Sequence, residues 1–409
     1  MRSDELQLHC VKSRFASALS FGHFVSRLSG TLKFTRGVTP VHIDSDNHTV
    51  IFENWDMHYV STVGLLSATD EALRHIEQTS VPFIRDTHQL AHLLGLRHHV
   101  FFDLLRHVNE CYRPITLKKK NGNVRRIHAP YALLRWTQRE ILHRILDKLP
   151  VSPYATAYRR GKRLTDNAAP HCGKRYLLKL DLKDFFPSIR FDQVLATAFP
   201  RRLFPKHIGT MLTALCCRED VLPQGAPTSP ALSNLVMKHF DDVMGGYCER
   251  QGLTYTRYCD DITVSGNKPL YTAYEKACRL LGEMGFTVND AKTRFVTRAS
   301  RQSVTGLVVN ETLHVPRAYR RALRQELHYV FTYGVDDAIR HRNDPAFFDE
   351  WGDPAVLKYL DHLEGRARYI LGVEPHNAYF REACDKLART REYADQYDYV
   401  PYFDPHYTT

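Results

Sequence analysis

Apolar and polar positions alternate along the chain in patterns that predict both strands and helices. Residues 176–180 form an apolar run interrupted only by Lys179, which is typical of a buried strand. Residues 253–257 and 262–266 are rich in β-branched and aromatic side chains and predict two strands joined by a tight turn. Apolar side chains recur at helical spacing from residue 132 to 148 and from 316 to 333, where they predict amphipathic helices.

Turn residues divide the rest of the chain into shorter elements. From residue 86, two short helices are expected around Gly95, a pattern found in helix-turn-helix DNA-binding domains and also in plain helical packing. The other expected elements are hairpins over 41–52 and 112–130, helices over 271–284 and 355–371, and a strand over 286–288. Residues 391–409 have no periodicity and are expected to be irregular.

Two adjacent carboxylates, Asp260 and Asp261, lie between two predicted strands and are expected at the exposed tip of a hairpin. Paired like charges are costly unless a cation neutralises them, although Asp is also common in solvated turns. A third carboxylate, Asp181, ends the buried strand, where an uncompensated charge is expensive. Carboxylates from separate strands can hold two Mg²⁺ ions about 3.5–4 Å apart for nucleotidyl transfer. Hard oxygen ligands favour Mg²⁺ or Mn²⁺ over zinc.

The segment 222–230 has the composition of a loop that opens a helix. Gly225 would let the backbone approach a ligand closely, and Ser229 and Pro230 suit the N-cap and first position of a helix beginning at Ala231. A helix N-terminus of this kind suits phosphate or base contacts. A capped connection without a ligand is the alternative.

Basic side chains cluster on two predicted elements. The hairpin over 112–130 carries three consecutive lysines ending at Lys120, and Arg125 with Arg126, on either side of an Asn121-Gly122 turn. The helix over 316–333 carries a stripe of arginines at i, i+3, i+4 and i+7: Arg317, Arg320, Arg321 and Arg324. Both features suit a nucleic-acid backbone, and both are also compatible with a solvated surface.

Composition favours a polyanionic partner. The 409 residues contain 56 Lys and Arg against 45 Asp and Glu, which gives a net charge of +11. This excess favours nucleic acid before a membrane. The nine cysteines are scattered without a CxxC pair, which indicates free thiols and a cytoplasmic location. No early apolar run has the length of a signal peptide or a membrane span.

These segments, in this order, resemble the motifs of a reverse transcriptase, and within that group those of a bacterial retron reverse transcriptase. The general motifs are Arg125 to Pro130 in the fingers, Asp181 to Ser188, Pro223 to Pro230, Tyr258 to Asp261, and Asn289 to Thr293. Two features are retron-like: Asn167-Ala168-Ala169-Pro170-His171 matches the NAxxH pattern, and Val304-Thr305-Gly306 matches the VTG element. Cys259 stands where the retron motif more often has Ala.

The resemblance implies an α+β right-hand polymerase fold with fingers, palm and a helical thumb. It covers about residues 86–375. The implied organisation is an N-terminal extension of unknown role at 1–85, N-terminal helices and fingers at 86–175, palm with the remaining fingers elements at 176–312, thumb at 313–374 and a C-terminal tail at 375–409.

The resemblance also implies roles for individual residues. Asp181, Asp260 and Asp261 would ligate the catalytic metals, with help from the carbonyl of Leu182, and Lys292 would protonate the departing pyrophosphate. Phe186 would exclude a ribose 2′-hydroxyl. The other expected nucleotide-binding residues are Arg125, Lys120, Gln224 and Gly225. The expected RNA-binding residues are Asn167, His171, Val304, Thr305, Gly306, Arg317, Arg320, Arg321 and Arg324.

The implied reaction is RNA-templated synthesis of DNA from dNTPs, with two Mg²⁺ ions or Mn²⁺ in their place. A retron enzyme would use its cognate structured noncoding RNA (msr–msd) as template and the 2′-hydroxyl of a guanosine as primer, giving a branched RNA–DNA product. Such a system implies antiphage defence with a separately encoded effector protein, and a homo-oligomer is possible. The alternatives are a defence or intron-type reverse transcriptase without a branched product, and an inert RNA-binding scaffold.

Overall fold

The computed structural model describes residues 40–44, 49–52, 79–118, 122 and 124–397, with only the backbone described at 40–44, 49–52, Arg125 and 395–397. The chain forms two compact units that are each discontinuous in sequence. Among the described residues, the first comprises those up to 160 together with 181–246 and 277–289, and the second comprises 161–180, 247–276 and 290–397. The predicted linear domain boundaries remain a prediction.

The first unit combines helices with two antiparallel hairpins. Its strands are β1 (Pro40–Asp44), β2 (Thr49–Phe52), β3 (Tyr112–Lys118) and β4 (Val124–Pro130). Its helices before residue 160 are α1 (Thr87–Leu93), α2 (His98–Arg106) and α3 (Ala132–Arg144), and two short 3₁₀ segments lie at Val108–Glu110 and Leu146–Lys148. These elements confirm the predicted hairpins and the helix pair around Gly95.

Helix α3 anchors the first unit through one apolar face, as its periodicity predicts. Leu134 and Ile141 are fully buried, and Gln138 lies between them. Gln138 Nε2 donates to the hydroxyl of Tyr112 at 2.8 Å and to the carbonyl of Leu215 at 2.8 Å. A buried amide is tolerated because it is hydrogen-bonded. Gln138 thus ties the β3–β4 hairpin to a neighbouring helix.

A four-stranded sheet forms the centre of the second unit. Its strands lie in the order β6-β7-β5-β8. The α-helix before the sheet is α4 (Leu164–Ala168), followed by a 3₁₀ turn, Ala169–His171. The strands are β5 (Tyr176–Asp181), β6 (Thr254–Tyr258), β7 (Asp261–Gly266) and β8 (Arg294–Thr297). Between β5 and β6 the chain forms α5 (Phe191–Ala198), α6 (Lys206–Cys216) and α7 (Ser229–Val236), which belong to the first unit. Helix α8 (Lys238–Arg250) then leads to β6, and α9 (Tyr271–Glu283) follows β7.

The C-terminal helices share one hydrophobic core with part of this sheet. A small hairpin, β9 (Ser303–Val304) and β10 (Leu307–Val308), precedes them. The helices are α10 (Arg317–Tyr333), α11 (Val335–Arg342), α12 (Val356–Val373) and α13 (Ala378–Tyr397), with a 3₁₀ turn at Pro345–Phe347. Leu327, Leu363 and Phe380 are fully buried in the same cluster as Leu177 and Val304. The hydrophobic effect therefore holds these helices and the β9–β10 hairpin together.

Two predicted elements are wrong. Residues 286–288 do not form a regular strand, since β8 pairs with residues 176–179 of β5 and leaves only an isolated bridge between Leu182 and Val288. Residues 391–397 are helical rather than irregular, because they continue α13, which packs on α12. The tyrosine-rich residues 398–409 lie outside the described part of the chain, as do residues 1–39.

Candidate active site

Asp181 is held at the end of its strand by a second segment of the first unit. Its side chain is 9% exposed, and its Oδ2 accepts a hydrogen bond from Asn289 Nδ2 at 3.1 Å. The backbone N–H of Asn289 also donates to the Asp181 carbonyl at 2.7 Å. A neutral amide can orient a carboxylate without neutralising its charge. Asn289 therefore fixes the orientation of the Asp181 carboxyl group.

Asp260 and Asp261 lie in the turn between β6 and β7, as the sequence predicts. Tyr258 pairs with Asp261, so Cys259 and Asp260 form a two-residue turn. Both aspartates are half-buried rather than fully exposed, which corrects the expected exposed tip. Cys259 is buried and has φ of 60°, a left-handed conformation that hairpin turns normally give to Gly, Asn or Asp.

A fully buried arginine supports this turn from within β6. Arg257 is 0% exposed, and its Nη1 donates to the carbonyl of Cys259 at 2.9 Å. A charge-assisted hydrogen bond of this kind is roughly twice as strong as a neutral one. Arg257 therefore fixes the backbone that carries the aspartate pair and places a cation close to it.

The donor set suits a hard divalent ion. All three candidate ligands are carboxylates, and Asp181 ends β5 while Asp261 begins β7, its neighbour in the strand order. Among the described residues, no group of three or more His, Cys, Asp or Glu side chains is already arranged around a metal position. Mg²⁺ normally uses one or two carboxylates together with water and substrate phosphates, so such a site need not exist before substrate binds.

Two adjacent phenylalanines follow Asp181 and differ in burial. Phe185 is buried at 4% exposure and packs against Phe286, with ring centroids 5.9 Å apart. Phe186 is half-buried, and its ring centroid lies 5.4 Å from that of Phe185. Leu182 is buried and bridges to Val288. Phe185 thus belongs to the core, and Phe186 is the ring that is partly accessible.

Gly225 is required by the protein's own packing. Its φ is 119°, and a Cβ there would lie 2.5 Å from Ile127 Cγ2 and 2.9 Å from the His128 carbonyl oxygen. The N–H of His128 donates to the carbonyl of Gln224 at 2.8 Å. The expected close approach is therefore made to the β4 strand. Gln224 itself is half-buried.

The predicted cap of the helix after this loop is wrong by one residue. Thr228 instead of Ser229 occupies the N-cap position, its side chain makes no capping hydrogen bond, and helix α7 begins at Ser229. The Oγ of Ser229 donates to the carbonyl of Pro223 at 2.8 Å instead of capping the helix. The Ser229 side chain therefore bonds within its own loop, and the N-cap lies one residue earlier than expected.

The predicted cationic residues of the nucleotide site are only partly described. Lys120 lies outside the described residues, and only the backbone of Arg125 is described, in β4. Lys292 is exposed in the turn before β8. The roles of these three residues therefore stay predictions.

The NAxxH and VTG elements form a buried network instead of an exposed RNA-binding surface. Asn167 is 1% exposed, and His171 and Val304 are 0% exposed. Asn167 Nδ2 donates to Thr305 Oγ1 at 3.5 Å. Thr305 and Gly306, both with positive φ, form the turn of the β9–β10 hairpin. Direct RNA contact by the three buried side chains is therefore wrong, because no surface of them remains for a ligand. Gly306 is exposed and Thr305 half-buried, and their RNA contact stays a prediction.

His171 joins the two strands that carry the aspartate turn. Its Nε2 lies 2.8 Å from Thr256 Oγ1 in β6, and its Nδ1 lies 2.7 Å from Ser265 Oγ in β7. Because Thr256 Oγ1 donates to the Asn167 carbonyl at 3.4 Å, it accepts from Nε2–H, and Nδ1 accepts from Ser265. Burial lowers the pKa of His171 to about 3, with a smaller contribution from Lys174. The ring is therefore neutral at physiological pH.

The arginine stripe on α10 is divided between internal and exposed roles. Arg320 Nη1 donates to Glu374 Oε2 at 3.0 Å, and Arg324 lies over the Tyr379 ring with its Cζ 4.9 Å from the centroid. Arg317, Arg321 and Arg324 are exposed. Arg320 is partly buried and ion-paired, and RNA binding by the four arginines stays a prediction.

Sequence reasoning missed two supporting residues. Asn289 was recognised as the start of a motif, but its contact with Asp181 depends on a fold in which distant segments meet. Arg257 carries a readable signal, since an arginine inside an otherwise apolar predicted strand needs a specific partner if it is buried. Its partner, a backbone carbonyl in the adjacent turn, carries no sequence signal.

A family model and several curated relatives point to the same family as the motif order. A family model described as reverse transcriptase (RNA-dependent DNA polymerase) matches residues 117–327. Retron Mx65 reverse transcriptase from Myxococcus xanthus is 35% identical over 351 residues, which cover 79% of this chain and 74% of that protein. Retron Ec86 reverse transcriptase from Escherichia coli is 33% identical over 262 residues, which cover 62% and 81%.

Among solved structures, a telomerase from Candida albicans in complex with a fragment of telomeric RNA aligns with a TM-score of 0.39 at 9% identity. The alignment covers 68% of this chain and 63% of the telomerase chain, and at this TM-score it carries no argument. The assignment rests on the family match and the retron relatives. The chain therefore belongs to the reverse transcriptases, within them to the bacterial retron reverse transcriptases, and is an RNA-directed DNA polymerase with an α+β right-hand polymerase fold.

Proposed function

We propose that Asp181, Asp260 and Asp261 are the metal-binding catalytic residues of this polymerase. The single observation that carries the proposal is the support given to these carboxylates: Asn289 orients Asp181, and Arg257 fixes the turn of Asp260 and Asp261. Packing of a hydrophobic core does not require hydrogen bonds of this kind. A metal-dependent site does, because its carboxylates must be held in fixed orientations.

Reverse transcriptases use divalent metal ions, and we propose two Mg²⁺ ions, for which Mn²⁺ can substitute. When bound by the three carboxylates, such ions lower the pKa of an attacking hydroxyl and stabilise charge on the attacking and leaving oxygens. In the reaction the oxygen of a primer hydroxyl forms a bond to the α-phosphorus of a dNTP while the hydroxyl proton passes to water, and the bond between the α-phosphorus and the pyrophosphate oxygen breaks. Lys292 supplies the proton that pyrophosphate takes up.

The remaining residues of the site bind and select the nucleotide. Arg125 and Lys120 hold the triphosphate through charge-assisted hydrogen bonds, and Gln224 and Gly225 line the templating base pair. The half-buried ring of Phe186 contacts the sugar and excludes a 2′-hydroxyl. Support comes from the contrast between Phe186 and the buried Phe185, since only the former has an accessible face.

We further propose that the template is the chain's own structured noncoding RNA and that priming from a guanosine 2′-hydroxyl gives a branched RNA–DNA product. The support is the set of retron relatives together with the NAxxH and VTG elements, which occur in the described chain as one connected network. The complex of RNA, DNA and enzyme would act with a separately encoded effector in defence against phage.

The test begins with Asp260→Asn and Asp261→Asn, assayed for dNTP incorporation on a primed RNA template. Each should lower the rate by about 100-fold or more, since several kcal/mol of transition-state stabilisation are lost. Asp336→Asn, an exposed acid on α11, is the matched control and should leave the rate unchanged. Unaltered synthesis by both turn variants would refute the assigned site.

The branched product is tested separately on the nucleic acid that copurifies with the protein. Treatment with RNase and then with a debranching enzyme should release a linear DNA from a branched precursor. DNA that is already linear would identify a reverse transcriptase without branched priming. RNA without any DNA would identify an RNA-binding scaffold.

A further inference from the structure

An exposed group of aromatic rings lies on the outer edge of the sheet in the second unit. Phe295 belongs to the edge strand β8 and is 50% exposed, and Tyr271, at the start of α9, is 64% exposed. Their ring centroids are 6.0 Å apart with an interplanar angle of 22°. Tyr274 packs edge-on against Phe295 at 5.5 Å. Together with Tyr176, these three rings are named the aromatic edge.

The register of the sheet continues this surface onto β5. Leu178 pairs with Phe295 and Tyr176 pairs with Thr297, so the side chains of Tyr176 and Phe295 lie on the same face of the sheet. The guanidinium carbon of Arg175 lies 5.5 Å from the centre of the Tyr176 ring. The aromatic edge therefore combines stacked rings with a cation.

The charges around the aromatic edge favour an anionic ligand. Arg175 and Lys268 are exposed, and the backbone N–H of Arg175 donates to Asn267 Oδ1 at 3.1 Å, which brings these two segments together. Glu275, on α9 next to Tyr274, is the one acidic residue in the sequence from 267 to 276. The whole chain has a net charge of +11, which suits either an acidic protein or a nucleic acid as the ligand. Stacked, exposed rings favour the nucleic acid, because its bases can stack on them.

We propose that the aromatic edge binds single-stranded RNA outside the catalytic site. Unstacked bases would lie on the exposed faces of Tyr271 and Phe295, and Arg175 would contact the phosphates. Base–aromatic stacking is worth about 1–3 kcal/mol per base and tolerates any sequence, so the surface would hold an unpaired segment of a structured RNA without reading it. The inference is independent of which residues catalyse DNA synthesis.

The test measures binding of a short fluorescent oligouridylate to the full chain already saturated with an unlabelled RNA–DNA template–primer. Tyr271→Ser and Phe295→Ser should each weaken this second binding event by about tenfold, because each removes one stacking face. Phe295→Tyr keeps an aromatic ring at this position and should bind the oligouridylate as tightly as the unmodified protein does. DNA synthesis on a short primed template should be unchanged in all three variants, so a failure of the inference is distinguishable from a failure of the proposed catalytic site.

Trp351→Ser is the matched control. Trp351 is 88% exposed but lies between Glu350 and Gly352 on a loop held by Asp349, whose Oδ1 accepts the N–H of Trp351 at 2.9 Å. An aromatic ring among acids should not bind RNA, so its loss should leave the affinity unchanged. A crosslink from 5-iodouridine RNA to Tyr271 or Phe295 of the unmodified protein gives a second measurement that does not depend on how the variants fold.

Three results would overturn the proposal. Equal affinity of all variants, with crosslinks elsewhere, would remove the aromatic edge as an RNA site. Tighter binding of oligothymidylate DNA than of oligouridylate would assign the surface to DNA. A change in oligomeric state of the Ser variants with unchanged RNA affinity would make it a contact between protein copies.

Discussion

The imidazole of His171 lies 2.7 Å from the hydroxyl of Ser265, through Nδ1, inside a core that excludes water. The same ring reaches Thr256 on the adjacent strand. A residue of the NAxxH element therefore joins the two strands of the hairpin that carries Asp260 and Asp261, and its role is to position that hairpin.

We predict that His171 makes the stability of the fold sensitive to acid. Because its pKa falls from 6.5 to about 3 on folding, its neutral form is favoured by the native state, and the unfolded chain takes up the proton first. The free energy of unfolding should therefore be independent of this group above pH 6.5 and should fall below that pH. The loss should be about 2 kcal/mol between pH 7 and pH 5. Chemical denaturation at a series of pH values measures it.

His171→Gln should reduce this slope and lower stability at pH 7 by about 2 kcal/mol, since one buried hydrogen bond is lost. Burial also lowers the pKa of His92, His128 and His362, so part of the slope should remain. His207→Gln, an exposed residue of α6, is the control and should leave the slope as it is. An identical slope in His171→Gln would show that the ring is not protonated on unfolding as described.

Phe186→Ala should admit ribonucleotides. Removing the accessible ring opens space for a 2′-hydroxyl, and a steric exclusion of this kind is worth about 1–3 kcal/mol, or roughly tenfold to a hundredfold in the ratio of kcat/KM values. Single-nucleotide incorporation with dNTP and NTP measures the ratio. Phe185→Leu, a change in the core, should lower Tm and leave the ratio unchanged. An unaltered preference in Phe186→Ala would remove this residue from sugar selection.

The arginines of α10 should separate into two classes. Arg317→Gln and Arg321→Gln should weaken RNA binding and flatten its salt dependence by about one unit each in the logarithmic slope, as expected for phosphate contacts. Filter binding over a range of salt concentrations measures the slopes.

Arg320→Gln should act on stability instead. Burial works to raise the pKa of Glu374, but hydrogen bonds from Asn377 and the Val315 backbone, with the charge of Arg320, bring it below its ordinary value. The ionised Glu374 therefore contributes to the free energy of unfolding above pH 4.5, and this contribution is lost as the pH falls further. Loss of the ion pair should cost about 2 kcal/mol near neutral pH. Equal effects of all three substitutions on RNA binding would contradict this division.

Asn289→Ala should lower the rate of DNA synthesis by about tenfold, a cost of roughly 1.4 kcal/mol, because Asp181 loses the donor that orients it. Asn289→Asp keeps the size but sets a second carboxylate against Asp181 and should be more harmful. Raising the Mg²⁺ concentration should partly restore Asn289→Ala if the defect lies in metal binding. A reduced rate that does not respond to Mg²⁺, together with a lower Tm, would indicate a structural role only.

The sequence was informative where chemistry and local pattern coincide. The apolar run before Asp181, the turn at Asp260 and the amphipathic helix α10 could all be predicted, because each depends on neighbours within a few residues. Helix α13 was not predicted, since its stability comes from packing Phe380 and Leu387 into a core shared with distant segments. Burial of His171 could not be predicted either, because its partners are 85 and 94 residues away along the chain.

The close approach of Gly225 to Ile127 and His128 restricts how this enzyme can be rebuilt. A replacement β3–β4 hairpin with a side chain bulkier than Ile127 would meet a backbone that has no spare room, and a changed hairpin path would break the backbone hydrogen bond from His128 to Gln224. Engineers who exchange modules between such polymerases would therefore need to move the hairpin and the loop before α7 as one piece.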